Sequence, residues 1–206
     1  MSEGTTPLRA AADLPPEEEA RANHYALLAR LLYAAPDAAL LAAIAADNES
    51  AEDGGALPQA WSELRRAAAS ADVEAVGDEF LNVFVGTGRA EATPYVSAYL
   101  ARTTADMPLV EVRSFLAGKR IARRTSVSEP EDHIALLCEA MRYLILHEDS
   151  LATQRELFER FIWPATHRLC DAIESAEHSD FYRWVARLLR AYCEVEHTSF
   201  VMHYNS

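Results

Sequence analysis

The chain has 206 residues, half of them hydrophobic and a quarter charged, so it can bury a core and does not have the composition of a disordered protein. Its formal net charge of −13 argues against a nucleic-acid partner, because binding to phosphates depends on clustered Lys and Arg. Alanine and leucine abound and no sustained alternating strand pattern occurs, so we predict an all-α single-domain helical bundle.

The N-terminal segment lacks the apolar core of a signal peptide, and no run reaches the ~18 apolar residues of a membrane helix. We therefore expect no integral membrane segment and a cytoplasmic location, with a flexible tail over residues 1–14. The three cysteines, Cys138, Cys170 and Cys193, lie far apart in apolar helical patterns. This arrangement predicts reduced, buried thiols and neither a disulfide framework nor a zinc site.

Helical periodicity, proline and capping residues predict the elements in chain order. The predicted helices begin at "PPEEEA" and at Pro36, span 58–70 and 72–85 (with Asp72 as N-cap), begin again at Pro94 and Pro108, and close the chain over 129–147, 150–176 (bent at Pro164) and 180–196. The segments "ADNESAEDGGALP" and "GTGRAEATP" read as loops. We predict one domain over residues 15–206, with two lobes (15–122 and 129–206) joined by a hinge near 118–130 as the alternative.

The stretch "SEPEDHIALLCEAM" places a charged cluster directly against a strongly apolar run. Local capping explains part of it, because Ser128 and Glu131 have capping-box spacing and proline is welcome in a first helical turn. Capping explains Asp132 and His133 less well, since aspartate is a poor helix former beyond the first turn. We therefore expect carboxylates and an imidazole at the mouth of a core helix, where arginine side chains would find charge-assisted partners.

The loop "GTGR" over residues 86–89 has glycines that could approach a phosphate, but it lacks the lysine of a phosphate-binding loop and follows no strand. A glycine cap at the end of the preceding helix is the favoured interpretation. Neither metal-ligand spacing nor a nucleophile motif occurs. We therefore predict no metal, no cofactor and no enzyme activity. Two alternatives stay open: an enzyme using Asp132 and His133 as an acid/base pair, and a nucleotide-responsive helical adaptor.

Three blocks together resemble the TorD/DmsD family, which includes the NarJ-type nitrate reductase assembly chaperones. They are "FLNVFVGTGRAEATPYVSAYL", "EPEDHIALLCEAM" and "FERFIWPATHRLCDAIESAEHSDFYRWVARLLRAY", and they cover most of residues 80–192. One departure is "RFIWPA", where the family often has His-Leu-x-x-Trp. Residues 1–79 match only in being helical.

The resemblance implies a cytoplasmic chaperone that binds the twin-arginine signal peptide of a molybdenum-containing oxidoreductase subunit and assists its folding, cofactor insertion and export timing. We expect a monomer, with a domain-swapped dimer as the alternative. By position, the family's leader-binding signature falls on Glu129, Pro130, Asp132 and His133. The loop and short helix of the family fall on Gly86, Pro94, Tyr95, Ser97 and Tyr99.

A leader of two arginines followed by an apolar segment needs acceptors beside an apolar groove. Glu129 and Asp132 would accept hydrogen bonds, and His133 would be a switchable hydrogen-bonding group. The aromatic residues predicted to supply apolar or stacking surface are Phe84, Tyr95 and Tyr99. Plain packing in the core is the alternative for these aromatic side chains.

Overall fold

The computed structural model describes residues 14–47, 54–86, 88, 90–101, 103, 105–122, 128–147 and 150–204. No β-strand occurs in these ranges, where the only β-type pairing is one isolated bridge between Tyr95 and His133. The all-α prediction is confirmed. The predicted tail lies outside the described residues except for Leu14. Across the described ranges, none of the helices combines the length and the apolar character needed to cross a membrane.

The helices run in chain order as α1 (Pro16–Tyr33), α2 (Ala38–Ala46), α3 (Ala56–Ser70), α4 (Val73–Phe80), α5 (Ser97–Leu100), α6 (Pro108–Gly118), α7 (Ile134–Leu146), α8 (Leu151–Leu157), α9 (Trp163–Ser175) and α10 (Tyr182–Tyr204). Two π-helical turns extend them: Leu81–Val85 follows α4, and Phe158–Ile162 joins α8 to α9.

Local sequence chemistry explains several helix starts. Proline and acidic residues occupy the first turn of α1, where the missing N–H costs nothing and the helix dipole favours negative charge. The predicted cap of α4 is confirmed, because the Asp72 carboxylate accepts from the Ala75 N–H at 2.9 Å. Helix α2 begins two residues after Pro36, because Asp37 caps it by accepting from the Leu40 N–H at 2.8 Å.

The predicted start of the short helix at Pro94 and the predicted end of the last helix were wrong. The short helix expected from Pro94 begins at Ser97 instead, because the Pro94 carbonyl is used outside the helix, where it accepts from the Ile134 N–H at 2.9 Å. The last helix runs eight residues beyond position 196, to Tyr204. Its extra length carries Phe200, which packs in the core.

Helix α7 lies at the centre of the core, as its apolar sequence predicts, and packs chiefly against α1. Its residues Leu137, Met141 and Leu144 are fully buried. Helix α10 packs against α9 and α3. One continuous hydrophobic cluster contains residues from both predicted lobes. The two-lobe division and the hinge near residues 118–130 stay predictions, and residues 123–127 of that segment lie outside the described residues.

Two buried carboxylates tie distant helices together. Glu196 of α10 accepts from the Arg21 guanidinium and from the Tyr25 hydroxyl of α1, each at 2.9 Å. Glu79 of α4 accepts from the three successive N–H groups at the start of α10, those of residues 180 to 182, at 2.8, 2.9 and 2.7 Å. A helix start leaves such N–H groups without intrahelical acceptors, so Glu79 anchors this end of α10.

Candidate functional site

The predicted capping box at Ser128 and Glu131 was wrong, because α7 begins at Ile134 rather than near residue 129. Its N-cap is His133, whose ring Nδ1 accepts from the Ala135 N–H at 3.2 Å. Residues 130–133 instead form a turn in which the His133 N–H donates to the Pro130 carbonyl at 3.1 Å. Glu129 and Pro130 therefore precede the helix. Together with Glu131 they form the edge of the site, which we call the rim.

Two backbone hydrogen bonds hold this turn against the segment that carries Tyr95. The Val96 N–H donates to the Asp132 carbonyl, and the Ile134 N–H donates to the Pro94 carbonyl, both at 2.9 Å. The pairing sets the Tyr95 ring edge-on to the His133 ring, with centroids 5.3 Å apart. The Tyr33 ring, from the end of α1, meets His133 at 5.9 Å. The site is therefore assembled from three separate parts of the chain.

Asp132 and His133 are buried and do not lie at an open entrance to the core, which is where the sequence predicts them. Only 2% and 4% of their surfaces are exposed. Burial lowers the pKa of His133, against the opposing effect of the Glu129 and Asp132 charges. A neutral imidazole is also what the Nδ1 acceptor role in the α7 cap requires. Among the described residues, no side chain or backbone group donates a hydrogen bond to the Asp132 carboxylate. The Asp132 oxygens are not among the buried side-chain atoms without a partner, so they keep a small contact with solvent, where the donors of a ligand could reach them.

Two further carboxylates, both half-buried, lie on the rim. The Tyr95 hydroxyl donates to Glu129. Burial first, and then this bond and the Glu129 charge, raise the pKa of Tyr95 to about 12, so Tyr95 stays a donor at neutral pH. Glu131 accepts from the Arg113 guanidinium at 2.7 Å. The rim is thus acidic and already carries one bound arginine of the chain itself.

The structure does not bring every predicted site residue to this cluster. Phe84 is buried against the rings of Tyr182 and Phe80, at 5.0 and 5.2 Å. The Tyr99 hydroxyl donates to the Thr93 carbonyl at 2.9 Å, and its ring lies 5.8 Å from the Arg168 guanidinium. Peptide contact by Phe84 and Tyr99 stays a prediction.

Gly86 has a structural role at the end of the π-helical turn. Its φ of 66° lies in the region that disfavours side chains, and its N–H donates to the Leu81 carbonyl at 2.7 Å. The predicted glycine cap is confirmed. Its contact with a peptide stays a prediction.

Sequence reasoning missed an exposed apolar ridge on α4 and its π-helical turn. Leu81 and Val85 are 55% and 58% exposed, and Val73 is exposed as well. These positions are spaced by multiples of four, with Gly77 between them, so they share one side of the helix. The spacing was visible in the sequence, but Phe80 and Phe84 form an equally good apolar face, and only packing shows which face is buried.

The cysteines support no nucleophile. All three are free and buried. Burial raises the pKa of Cys193 to about 12 and raises the pKa values of Cys138 and Cys170 as well, so thiolates are disfavoured at neutral pH. Across the described residues, no group of three or more His, Cys, Asp or Glu side chains is arranged to hold a metal ion.

Residues 50–171, more than half of the chain, match the family model described as nitrate reductase delta subunit. The chain therefore belongs to the nitrate reductase delta subunit family. The matched range contains the α4 ridge, Tyr95 and the Glu129–His133 turn, whereas Tyr33 precedes it. The resemblance to the TorD/DmsD family, which includes the NarJ-type chaperones, is confirmed.

Individual relatives agree with this assignment. A protein named as a Tat proofreading chaperone, DmsD, from Haemophilus influenzae is 32% identical over 115 residues, which cover 55% of this chain and 56% of the relative. A chaperone protein TorD from Vibrio atlanticus is 27% identical over 133 residues, covering 57% and 60%. The chain thus spans less than two thirds of the length of these relatives.

A crystal structure named as that of a redox enzyme maturation protein from Archaeoglobus fulgidus has the same fold. It superimposes with a TM-score of 0.53 at 20% identity, covering 84% of this chain and 93% of that one. At this identity the likeness concerns the fold alone.

Proposed function

We propose that this chain is a cytoplasmic chaperone that binds the twin-arginine signal peptide of a molybdenum-containing oxidoreductase subunit and assists its folding, cofactor insertion and export timing. The observation that carries the proposal is the carboxylate of the buried residue Asp132, which accepts no hydrogen bond from the described residues and lies next to an acidic rim. The names of the DmsD and TorD relatives favour a chaperone over an enzyme or a nucleotide-responsive adaptor.

The acidic cluster suits arginine better than lysine. A guanidinium has planar, forked donors that match a carboxylate in two parallel hydrogen bonds. The first arginine would meet Glu129, which lies half-buried on the rim beside Tyr95. Asp132 is largely enclosed, so a second arginine would reach only the small exposed part of its carboxylate. An ion pair formed there would be poorly screened by salt.

The apolar part of a leader has a complementary surface on the α4 ridge. Leu81 and Val85 are large side chains left half-exposed on one side of the π-helical turn. The absent side chain at Gly77 leaves a notch between Val73 and Leu81, where an added Cβ would meet no atom within 4 Å. Exposed apolar surface of this kind is typical of an interaction site.

Calorimetric titration with a synthetic twin-arginine leader tests the proposal. Asp132→Asn should keep the helical circular dichroism of the wild type and weaken leader binding at least tenfold. Asp171→Asn, a matched change at an exposed carboxylate of α9, should bind like the wild type. If Asp132→Asn also binds like the wild type, the site is elsewhere.

A second titration separates specific recognition from general attraction. Replacing both leader arginines by lysines keeps the charge and removes the forked geometry, so we expect weaker binding with only moderate salt dependence. Steep salt dependence together with indifference to this exchange would mean that the net charge of −13 attracts any basic peptide. If recognition is specific, a pull-down from the native host should recover a molybdenum oxidoreductase subunit with a twin-arginine leader.

A further inference from the structure

A groove of about 860 Å³ lies between the C-terminal end of α6 and the outer face of α7. Its apolar lining consists of Leu116, Ile121, Ala122, Leu136, Ala140, Tyr143 and Leu146. Glu131 stands at one edge, so the groove begins beside the acidic rim and runs away from it along α7. Residues 123–127, which follow Ala122, lie outside the described part of the chain.

The α7 side of the groove has the repeat of a helix-binding surface. Leu136, Ala140, Tyr143 and His147 are spaced by three or four residues and so lie on one side of α7. At 1.5 Å per residue this row is about 16 Å long, which is the length of about three helical turns. Tyr143 is 42% exposed although it belongs to the most buried helix of the protein. The groove therefore presents an apolar surface in the shape that an amphipathic helix would cover.

The charges around the groove leave one cation without a partner. Glu131 is bonded to Arg113 at 2.7 Å, and Glu139 is bonded to Arg142 at 3.3 Å. Among the described residues, the Arg120 guanidinium has neither a hydrogen bond nor an ion pair. In a chain of net charge −13, this end of the groove is suited to a carboxylate.

The backbone at Arg120 gives a second reason to assign this side chain a role. Arg120 has a φ of 57°, and it is the one non-glycine residue with positive φ in the described ranges. It ends α6 in a Schellman motif: its N–H donates to the Ala117 carbonyl at 3.0 Å, and the Ile121 N–H donates to the Leu116 carbonyl at 2.9 Å. Glycine is the usual residue at this position because L side chains are disfavoured there.

We propose that this groove binds an amphipathic helix of a partner protein whose apolar face packs on Leu136 and Tyr143 and whose terminal aspartate or glutamate accepts from the Arg120 guanidinium. The charges of Glu131 and Glu139 are paired with arginines, so the unpaired Arg120 charge favours an acidic residue over a basic one at its end of the groove. The groove shares Glu131 with the Glu129–His133 turn but runs away from it along α7, and its proposed occupant differs in charge from the leader.

Binding of designed helical peptides tests this inference by fluorescence anisotropy. The probes are labelled 14-residue peptides with leucines at i, i+3, i+4 and i+7. A Glu, Gln or Lys stands either at the N-terminal end or at the C-terminal end of each peptide. For one of these two positions, we expect the Glu peptide to bind at least tenfold more tightly than the Lys peptide. The Gln peptide should lie between them.

Arg120→Gly is the decisive variant, because it removes the guanidinium and gives the turn the residue that its backbone favours. Its thermal midpoint should equal or exceed that of the wild type, while the Glu peptide loses about tenfold in affinity and the Gln peptide is unaffected. Arg66→Ala, on α3 outside the groove, should change neither peptide. Tyr143→Lys should weaken binding of all the peptides.

Several results would overturn the proposal: no peptide binds below millimolar concentration, Glu and Lys peptides bind equally, or Arg120→Gly leaves the preference for Glu unchanged. Competition by an unlabelled twin-arginine leader would assign the groove to the leader instead. Sedimentation of the chain alone provides the last check. A dimer that Tyr143→Lys abolishes would make the occupant a second copy.

Discussion

The starts of helices α7 and α10 are both capped by buried, ionisable side chains, but in opposite ways. Glu79 reaches α10 from α4, about a hundred residues earlier in the chain, and accepts from three successive backbone N–H groups. At α7 the cap is the helix's own His133, whose ring accepts from a single N–H. The adjoining residue Asp132 is as little exposed as Glu79, at 2% against 7%.

The difference distinguishes a structural carboxylate from a candidate functional one. Three N–H donors compensate Glu79 for the water that it loses on burial, so folding alone explains its position. Asp132 receives no such donor from the described residues, and its carboxylate keeps only a small contact with solvent. A ligand that brings its own donors would replace the water that Asp132 has lost.

The largest effect on stability is expected at Glu79, the carboxylate that accepts three backbone hydrogen bonds. Glu79→Ala leaves three N–H groups at the start of α10 without their acceptor, so we expect a loss of about 3 kcal/mol or more in the free energy of unfolding. Urea denaturation measures this loss. Glu79→Gln should fall between the alanine variant and the wild type, because one acceptor oxygen remains. The exposed neighbour Asp78, changed to alanine, should stay within about 0.5 kcal/mol of the wild type.

The matched change at the other carboxylate should affect binding rather than folding. Asp132→Asn removes a buried charge without removing a described hydrogen bond, so the free energy of unfolding should be unchanged or higher. The tenfold loss of leader affinity expected for it corresponds to about 1.4 kcal/mol. If Asp132→Asn instead destabilises the protein as much as Glu79→Gln, both carboxylates are structural and the contrast fails.

The starts of the helices show how much of the fold could be predicted from the sequence. Periodicity and local caps placed α1, α3 and α4 because the signals lie within a few residues of each helix, as with Asp72. The start of α7 was misplaced because Ser128 and Glu131 satisfy a local capping rule. What decides the boundary is pairing with Pro94 and Val96, which lie more than thirty residues away.

The residues of the candidate site could be predicted from the sequence, but their burial could not. The resemblance named Glu129, Asp132, His133 and Tyr95, and the structure brings these four together. Their burial was not foreseen, because the opposing segment that encloses them is distant in sequence. Tyr33 has no local feature that marks it as a neighbour of His133, a hundred residues later, and only the packing of α1 on α7 reveals it.

A smaller effect is expected from separating the two roles of His133. His133→Asn keeps a good N-cap acceptor, whereas His133→Ala loses the cap, so the alanine variant should be less stable than the asparagine variant by about 1 kcal/mol. Both variants lose the imidazole, so both should bind the leader more weakly than the wild type. Equal stability with full binding in the asparagine variant would leave His133 as a cap and nothing more.

The smallest effect expected is a pH dependence of opposite sign at two histidines. Burial lowers the pKa of His133 in the folded protein, so the unfolded chain binds a proton at higher pH than the folded one does. The stability of the wild type should therefore fall as pH drops below the ordinary histidine value of about 6.5. The exposed His178, in contrast, has its pKa raised by its hydrogen bond to Glu91, so its contribution is full below about 6.5 and is lost as pH rises through the raised value.

Urea unfolding between pH 5 and pH 8 distinguishes the two contributions. His133→Asn should flatten the loss of stability toward pH 5, whereas His178→Asn should steepen it, because the remaining histidines are common to all three proteins and cancel in the comparison. His133 is enclosed by Tyr95 and Tyr33 and faces the charges of Glu129 and Asp132, so a proton on its ring would also cost the α7 cap. An unchanged slope in His133→Asn would mean that this imidazole is accessible enough to titrate normally, and Asp132 beside it would then be open to solvent as well.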